Sequence, residues 1–198
     1  MDLTFRIGTE EIQRQALIVL FENLNDRILD YSSGWNAKDD QFYAAIGRTN
    51  PGLSVETIED ENFEVGSIPS FLEAPIENYP NLTCICYKAT PKNSNDDTGE
   101  EYLNVLRVEV IVKSDNFGDD ISRFGEEQVN SRIHKTLEAV HSVLIEDRNL
   151  QNTVIGLNSP TQEIGDVFVR RVEKGRGDKF YWQGGVLEYG VDKYVNNS

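Results

Sequence analysis

The sequence contains few cysteines and histidines, the residues that supply thiol and imidazole groups. Its 198 residues include two cysteines and two histidines. Cys84 and Cys86 are two positions apart, so on a strand they point to the same side and are poorly placed to bridge each other. With so few partners available, a thiolate metal site is not favoured either. We interpret both residues as buried thiols of a protein made in a reducing cytoplasm.

Long apolar segments are missing as well. No apolar run approaches the roughly 20 residues that a membrane span needs. The N-terminus is acidic and lacks the apolar segment of a signal peptide. Because 38% of the residues are hydrophobic, the chain can still build a core. We therefore expect a single domain, residues 1–198, that makes no contact with a membrane.

Basic residues are scarce relative to acidic ones. The chain has 34 acidic and 19 basic residues, which gives a net charge of −15. Such a surface is not built to neutralise nucleic-acid phosphates. Two interpretations remain open. The acidic residues form a solvated surface, or they line a channel through which DNA slides without sticking. In the second case, the carboxylates repel the DNA phosphates because like charges repel.

Motifs for common enzymatic reactions are absent. There is no Gly-rich phosphate loop followed by Lys-Ser/Thr, no Gly-x-Ser-x-Gly elbow and no Cys-x-x-Cys. His134, Glu138 and His141 share one side of a predicted helix, which is a conceivable metal face. This side is displaced from the apolar stripe of the helix, which favours a polar flank. We therefore expect no catalytic residue, no cofactor, no metal site and no enzymatic activity.

A predicted strand and helix organise the chain. Residues 101–113 alternate in the period-two pattern of a half-buried strand. The helix that ends near Ile145 has a single narrow apolar stripe. A strand and a helix with one apolar side each predict a sheet covered by helices. The residues on these apolar sides are Leu106, Val108, Val110 and Val112 in the strand, and Val129, Ile133, Leu137, Val140 and Leu144 in the helix.

The first predicted helix begins at Thr9, a good N-cap residue, and ends at about Asp30. Its apolar residues form two sets that are rotated by more than about 100°. The first set is Ile12, Ala16, Val19 and Leu20, and the second is Leu17, Phe21, Leu24 and Ile28. Two sets predict burial on two sides of the helix. The second side contacts either a later segment of the same chain or a neighbouring subunit.

Residues 31–80 show little periodicity and are predicted to form an extended arm. The arm is rich in glycine and proline, yet it is too apolar for a disordered linker and too long for an ordinary connection. Long ordered loops with aromatic anchors usually pack on something. We therefore expect the arm to lie over its own domain or over a neighbour. Its aromatic anchors include Trp35, Phe42, Phe63 and Phe71.

The remaining pattern completes an α+β fold. Residues 82–89, 101–113, 166–173 and 179–195 are predicted strands, with residues 149–165 as a loop. The order helix-strand-strand-helix-strand-strand predicts a four-stranded, mainly antiparallel sheet of two hairpins with helices on one face. Gly184 and Gly185 indicate a bulge or a close backbone approach. Arg176, Gly177 and Asp178 have the composition of the second hairpin's turn.

This order of elements is similar to that of the tail terminator (tail completion, neck) proteins of long-tailed bacteriophages. The resemblance depends on residues 102–113 and 130–145, and on the terminal segments Gly-Asp-Val-Phe-Val-Arg-Arg (165–171) and Tyr-Trp-Gln-Gly-Gly-Val-Leu-Glu-Tyr-Gly (181–190) with its continuation to 195. Residues 61–80 resemble a stretch of uncharacterised phage virion proteins. The arm is longer here than in small terminators.

The resemblance implies a virion protein, made in the host bacterial cytoplasm. Such a protein forms a homo-oligomeric ring, usually a hexamer, that caps the tail tube, joins it to the head–tail connector and lets DNA pass without specific binding. Another neck component or a tail tube subunit is the alternative, and a cytoplasmic binding module or enzyme is a remote one. We hypothesise that the tip Arg176–Asp178 faces the tube or the connector. The hypothetical subunit-contact residues are Ile12, Leu17, Phe21, Leu24, Ile28, Trp35, Phe42, Phe63 and Phe71.

Overall fold

The computed structural model describes residues 8–66, 81–89, 103–114, 122–171 and 179–192. These residues form an α+β structure with two helices, six strands and one short 3-10 turn, and they confirm the predicted fold class. The elements are α1 (Thr9–Ala45), the 3-10 turn (Asp60–Asn62), β1 (Phe63–Val65), β2 (Leu82–Ala89), β3 (Leu103–Ser114), α2 (Ser122–Glu146), β4 (Gly156–Leu157), β5 (Thr161–Arg171) and β6 (Lys179–Asp192).

The six strands form one sheet in the order β1-β2-β3-β6-β4, and β5 also pairs with β6. The pairs β2–β3, β3–β6 and β5–β6 are antiparallel, whereas the short β1 runs parallel to β2. The prediction of four strands was wrong because β1 and β4, of three and two residues, are too short to show a period. The strand β5 also begins at Thr161, inside the predicted loop.

Both helices pack on one face of the sheet, as predicted. Their apolar residues join one core cluster with the alternate residues of β2, β3 and β6 that point to this face. All predicted stripe residues of β3 and α2 belong to this cluster. Of the predicted pair Gly184 and Gly185, the need for glycine at position 185 is explained by the helix above it. A Cβ atom there would lie 2.7 Å from Leu137 Cδ1 and 2.9 Å from Ile133 Cγ1. Glycine therefore lets α2 approach β6 closely.

The first helix is longer than predicted: α1 has 37 residues and ends at Ala45 instead of at about Asp30. Residues 31–45, assigned to the arm, are thus helical. Trp35 and Tyr43 are the buried residues of this extension, and they are too widely spaced to produce a recognisable stripe. The helix ends before Gly47, which adopts a positive φ of 68° that favours glycine.

Candidate assembly surface

The second half of α1 runs antiparallel along α2 and is joined to it by polar side chains. Arg27 and Tyr31 both contact Ser142, with Arg27 Nη1 donating to Ser142 Oγ at 3.0 Å and the Tyr31 and Ser142 hydroxyls 2.7 Å apart. Arg27 also pairs with Glu146. The hydrogen bonds with Ser142 and Arg27 lower the pKa of Tyr31. These contacts dock the middle of α1 on the C-terminal end of α2.

The same pairing continues to the end of α1. Trp35 Nε1 donates to Glu138 Oε2 at 3.0 Å, and the Tyr43 hydroxyl donates to Glu127 Oε2 at 3.0 Å. Burial, together with this hydrogen bond, raises the pKa of Tyr43. Between these contacts, Lys135 pairs with Asp39. We call the contacts from Arg27–Glu146 to Tyr43–Glu127 the polar ladder.

After α1 the chain returns along α2 and then crosses to the first half of α1. Gln128 Nε2 donates to the Pro51 carbonyl at 3.0 Å, and Lys135 Nζ donates to the Leu53 carbonyl at 2.8 Å. Further along, the Asn25 side chain both accepts from Ile58 N–H and donates to its carbonyl, each at 2.8 Å. This described part of the predicted arm therefore packs on its own domain.

Most of the predicted subunit-contact residues on α1 are buried within the chain. Ile12, Leu24 and Ile28 are completely inaccessible, and Trp35 is 6% exposed. The intrachain interpretation therefore accounts for these four residues, because α2, the sheet and the returning segment already cover them. As placed here, they offer no surface to a neighbouring subunit.

Four other predicted contact residues keep some accessible surface. Leu17 and Phe63 are partly buried against the core. Phe21 is 46% exposed and meets the Phe63 ring edge-on, with ring centroids 5.4 Å apart. Phe42 is 58% exposed at the end of α1. Phe71 and the hairpin tip Arg176–Asp178 lie outside the described residues.

Further exposed apolar residues were missed by the sequence analysis. Ile18 and Leu29 lie on the outer side of α1, and Ile46 follows its last turn. They could have been found as apolar positions outside both predicted sets, although a single exposed apolar residue is common on any surface. The remaining exposed large apolar residues in the described ranges are Val65, Ile145 and Ile155.

A cleft opens where the returning segment meets the end of β3. Its volume is about 280 Å³. Val55 and Ile58 on the segment and Val110 and Val112 on β3 supply apolar lining, while α2 contributes Arg132. The Arg132 guanidinium donates to the Ser54 and Lys113 carbonyls and lies 3.3 Å from Glu56. The cleft therefore has a mixed lining, in which largely buried apolar side chains lie beside polar and charged groups such as Glu56 and Lys113.

The sheet face opposite the helices contains a charged cluster. Arg107 lies 2.6 Å from Glu109 Oε1 and 2.9 Å from Glu188 Oε1, and the Tyr87 hydroxyl donates to Glu188 at 2.9 Å. Glu109 is only 1% exposed. Burial and the bond to Glu188 raise the pKa of Tyr87 to about 12. We interpret this cluster, in which one arginine joins two carboxylates, as structural.

The residues considered for a metal face have separate partners. Glu138 binds Trp35, the His141 imidazole Nδ1 lies 3.1 Å from the Tyr189 hydroxyl, and His134 is exposed. No group of three or more metal-ligating side chains occurs among the described residues. Cys84 and Cys86 are buried thiols, as predicted, and burial raises the pKa of Cys84 above the usual range of thiols.

Neither described helix combines the length and the apolar character that a membrane crossing requires. No family model matches the sequence, and no curated protein matches it. Among solved structures, the chain is similar to a chain of a structure described as "Virion of native gene transfer agent (GTA) particle". The identity is 14%, the match covers 65% of this chain and 77% of the other, and the TM-score is 0.20. A TM-score this low carries no argument about fold or function.

Proposed function

We propose that the protein is a non-enzymatic structural component of a phage virion. In this proposal it forms a ring of identical copies at the tail–neck junction, ends the tail tube and joins it to the head–tail connector. The observation that carries the proposal is the exposed apolar surface of α1. Ile18, Phe21, Leu29 and Phe42 are each at least 44% exposed on one helix, and a neighbouring copy would remove them from water.

Two further observations support a role in assembly. The order of the long elements, helix-strand-strand-helix-strand-strand, is the order on which the resemblance to tail terminators depends. The sheet also ends in edge strands, β1 on one side and β4 and β5 on the other, which pair on one side only within the described residues. Open strand edges let a sheet continue between subunits. Repetition of one such contact between copies closes a ring when the rotation permits it.

The net charge of −15 bears on the proposed contact with DNA. An acidic bore repels the phosphate backbone, so DNA passes through without binding. We expect the purified protein to leave the migration of double-stranded DNA unchanged at low salt. A shift that weakens steeply with added salt would instead indicate a phosphate-binding surface and would contradict this part of the proposal.

Two measurements test the proposal. Mass determination over a range of protein concentrations should show one closed oligomer, with a hexamer expected. Imaging of purified virions that carry a tag on this chain should place the label at the junction of head and tail. Because some ring proteins assemble only on their partner, the virion result decides. Absence of the chain from purified virions would reject the proposal.

The same measurements separate the alternatives. A tail tube subunit should polymerise without a fixed limit and label the whole tail, whereas a terminator stops at one ring. A connector stopper or adaptor labels the neck but remains bound to heads that lack tails. A binding module or enzyme should be absent from virions, and its melting temperature should respond to a small molecule or to a chelator.

A further inference from the structure

The end of α1 presents an exposed apolar pair with cations beside it. Phe42 and Ile46 are 58% and 47% exposed, and they lie four residues apart, hence on the same side of the helix end. Lys38 precedes Phe42 by one turn, and Arg48 follows Ile46; both are exposed. We call these four residues the knob. It places two accessible cations beside apolar surface on a chain with net charge −15.

The rim of the cleft has the opposite charge. Glu56, Glu59, Asp60, Glu61 and Glu64 fall within nine residues that contain no lysine or arginine, and all five are exposed. Glu56 and Glu59 line the cleft itself. Inside the cleft, Arg132 is already engaged by two backbone carbonyls and by Glu56. The rim therefore presents more acidic than basic side chains, although Lys113 also lines the cleft.

The Ile58 end of the cleft and Phe42 of the same subunit are too far apart to contact each other, although the α2 wall of the cleft, with Arg132, reaches the level of Asp39. The cleft residue Ile58 is held by Asn25, and Phe42 lies 17 positions further along α1. At a rise of about 1.5 Å per residue, the separation along the helix is about 25 Å. Phe42 and Ile58 therefore cannot meet within one molecule, but they can meet between molecules. A contact of this kind is head-to-tail and leads to a ring or a filament.

We infer that the knob of one copy, centred on Phe42, docks in the acidic-rimmed cleft of the next copy. This inference rests on the proposed self-association and specifies its contact. Phe42 is the apolar anchor over Val55, Ile58 and the end of β3. Lys38 and Arg48 meet the glutamates of the rim, which relieves the repulsion between two strongly negative subunits. Assembly should therefore weaken as salt screens these charges.

Apolar truncations provide the first test. Phe42→Ala should weaken self-association on the order of tenfold, because anchors buried at an interface dominate its free energy. Ile155→Ala is the control, since Ile155 is 51% exposed but lies before β4, outside α1 and outside the cleft. Sedimentation velocity over a concentration series measures both, with circular dichroism to verify folding. Equal effects of the two substitutions would overturn the inference.

Charge reversal provides the second test. Lys38→Glu and Glu59→Lys should each weaken association, because each places like charges together at the contact. The double variant should recover most of the loss, whereas Lys38→Glu combined with Glu163→Lys should not, because Glu163 is exposed on β5 and does not line the cleft. If the double variant of Lys38→Glu and Glu59→Lys does not recover association, the inference is overturned.

The outcomes also separate this inference from the proposed function. If association persists in all variants, the copies assemble through another surface, and only the knob-and-cleft contact is rejected. A wild-type chain that stays monomeric at every concentration likewise rejects the contact, since the knob and the cleft are both present on free copies. In either case, virion labelling decides the proposed function separately.

Discussion

The two halves of α1 are held to the protein by different interactions. From Thr9 to Ile28 six apolar side chains are buried, whereas from Leu29 to Ala45 only Trp35 and Tyr43 are. The second half depends instead on the polar ladder. Fully burying one large apolar side chain contributes about 1.5–3 kcal/mol, and a typical hydrogen bond contributes about 0.5–1.5 kcal/mol net. The first half is therefore an integral part of the core, and the second half is attached to it more weakly.

This difference has a consequence for assembly. Segments with few buried apolar contacts open at lower free energy than the core. The knob lies on the weakly attached half, so its position can adjust during docking without disturbing the sheet. The following substitutions test the contrast between the two halves.

The largest effect is expected in the first half. Leu20 is completely buried, so Leu20→Ala should lower the free energy of unfolding by about 2–5 kcal/mol. Phe42→Ala removes a larger side chain from the same helix but should change this free energy by less than about 1 kcal/mol in the dilute monomer, because most of the ring is in water. Urea denaturation followed by circular dichroism measures both. Comparable losses would mean that the two halves are equally anchored.

The next effect concerns the polar ladder. Lys135 is 8% exposed and binds both Asp39 and the Leu53 carbonyl. Lys135→Ala leaves these acceptors without their donor and should cost about 1–3 kcal/mol. Arg14→Ala is the control, because Arg14 pairs with Glu10 on an exposed surface, where an ion pair contributes about 0–1 kcal/mol. A smaller loss for Lys135→Ala than for Arg14→Ala would contradict a structural role of the ladder.

A stabilising change should be available in the second half. Gly34 is exposed in the middle of α1, and a Cβ atom added there would meet nothing within 4 Å. Gly34→Ala should therefore raise the free energy of unfolding by about 0.5–1 kcal/mol, since alanine loses less conformational freedom in a helix. Thermal denaturation shows the direction of the change. Destabilisation would indicate a contact on this side of the helix that the structure does not contain.

The smallest effect concerns pH. Burial and the hydrogen bond to Glu127 raise the pKa of Tyr43 above the ordinary tyrosine value of about 10, so the folded state favours the neutral phenol. The resulting stabilisation is complete below pH 10 and is lost as the pH rises through the folded-state pKa. In Tyr43→Phe this loss is absent, so the melting temperature should fall less steeply above pH 10 than in the wild type. Parallel slopes for the two proteins would contradict the assignment.

Periodic segments were predicted well because burial on one side leaves a repeating pattern. The strand Leu82–Ala89 has the predicted bounds, and the apolar stripes of β3 and α2 are buried as expected. The close approach at Gly185 was also anticipated. In these segments the apolar residues all lie on the buried side of the helix or strand, so a few of them suffice to identify the element.

The extension of α1, the burial of Glu109 and the cleft could not be predicted. They depend on contacts between distant residues, which produce no periodic pattern in the sequence. The extension of α1 depends on Trp35, Tyr43 and polar partners about 100 residues away. The buried position of Glu109 depends on Arg107 and on burial of the second sheet face, whereas the alternation of β3 indicated a solvated polar side. Of the candidate surface, the sequence indicated Phe42 but not the cleft, which forms only when distant segments meet.

The Asn25 side chain makes the two backbone hydrogen bonds that a neighbouring strand would otherwise make. Its amide presents a carbonyl and an NH₂ group in one plane, so it completes both backbone hydrogen bonds of Ile58 from a helix. Aspartate lacks the donor and leucine lacks both groups, so neither could substitute for it. Asn25 thereby divides the connection between α1 and β1 into two shorter spans. In the proposed contact, it would also fix the distance between Phe42 and the Ile58 end of the cleft.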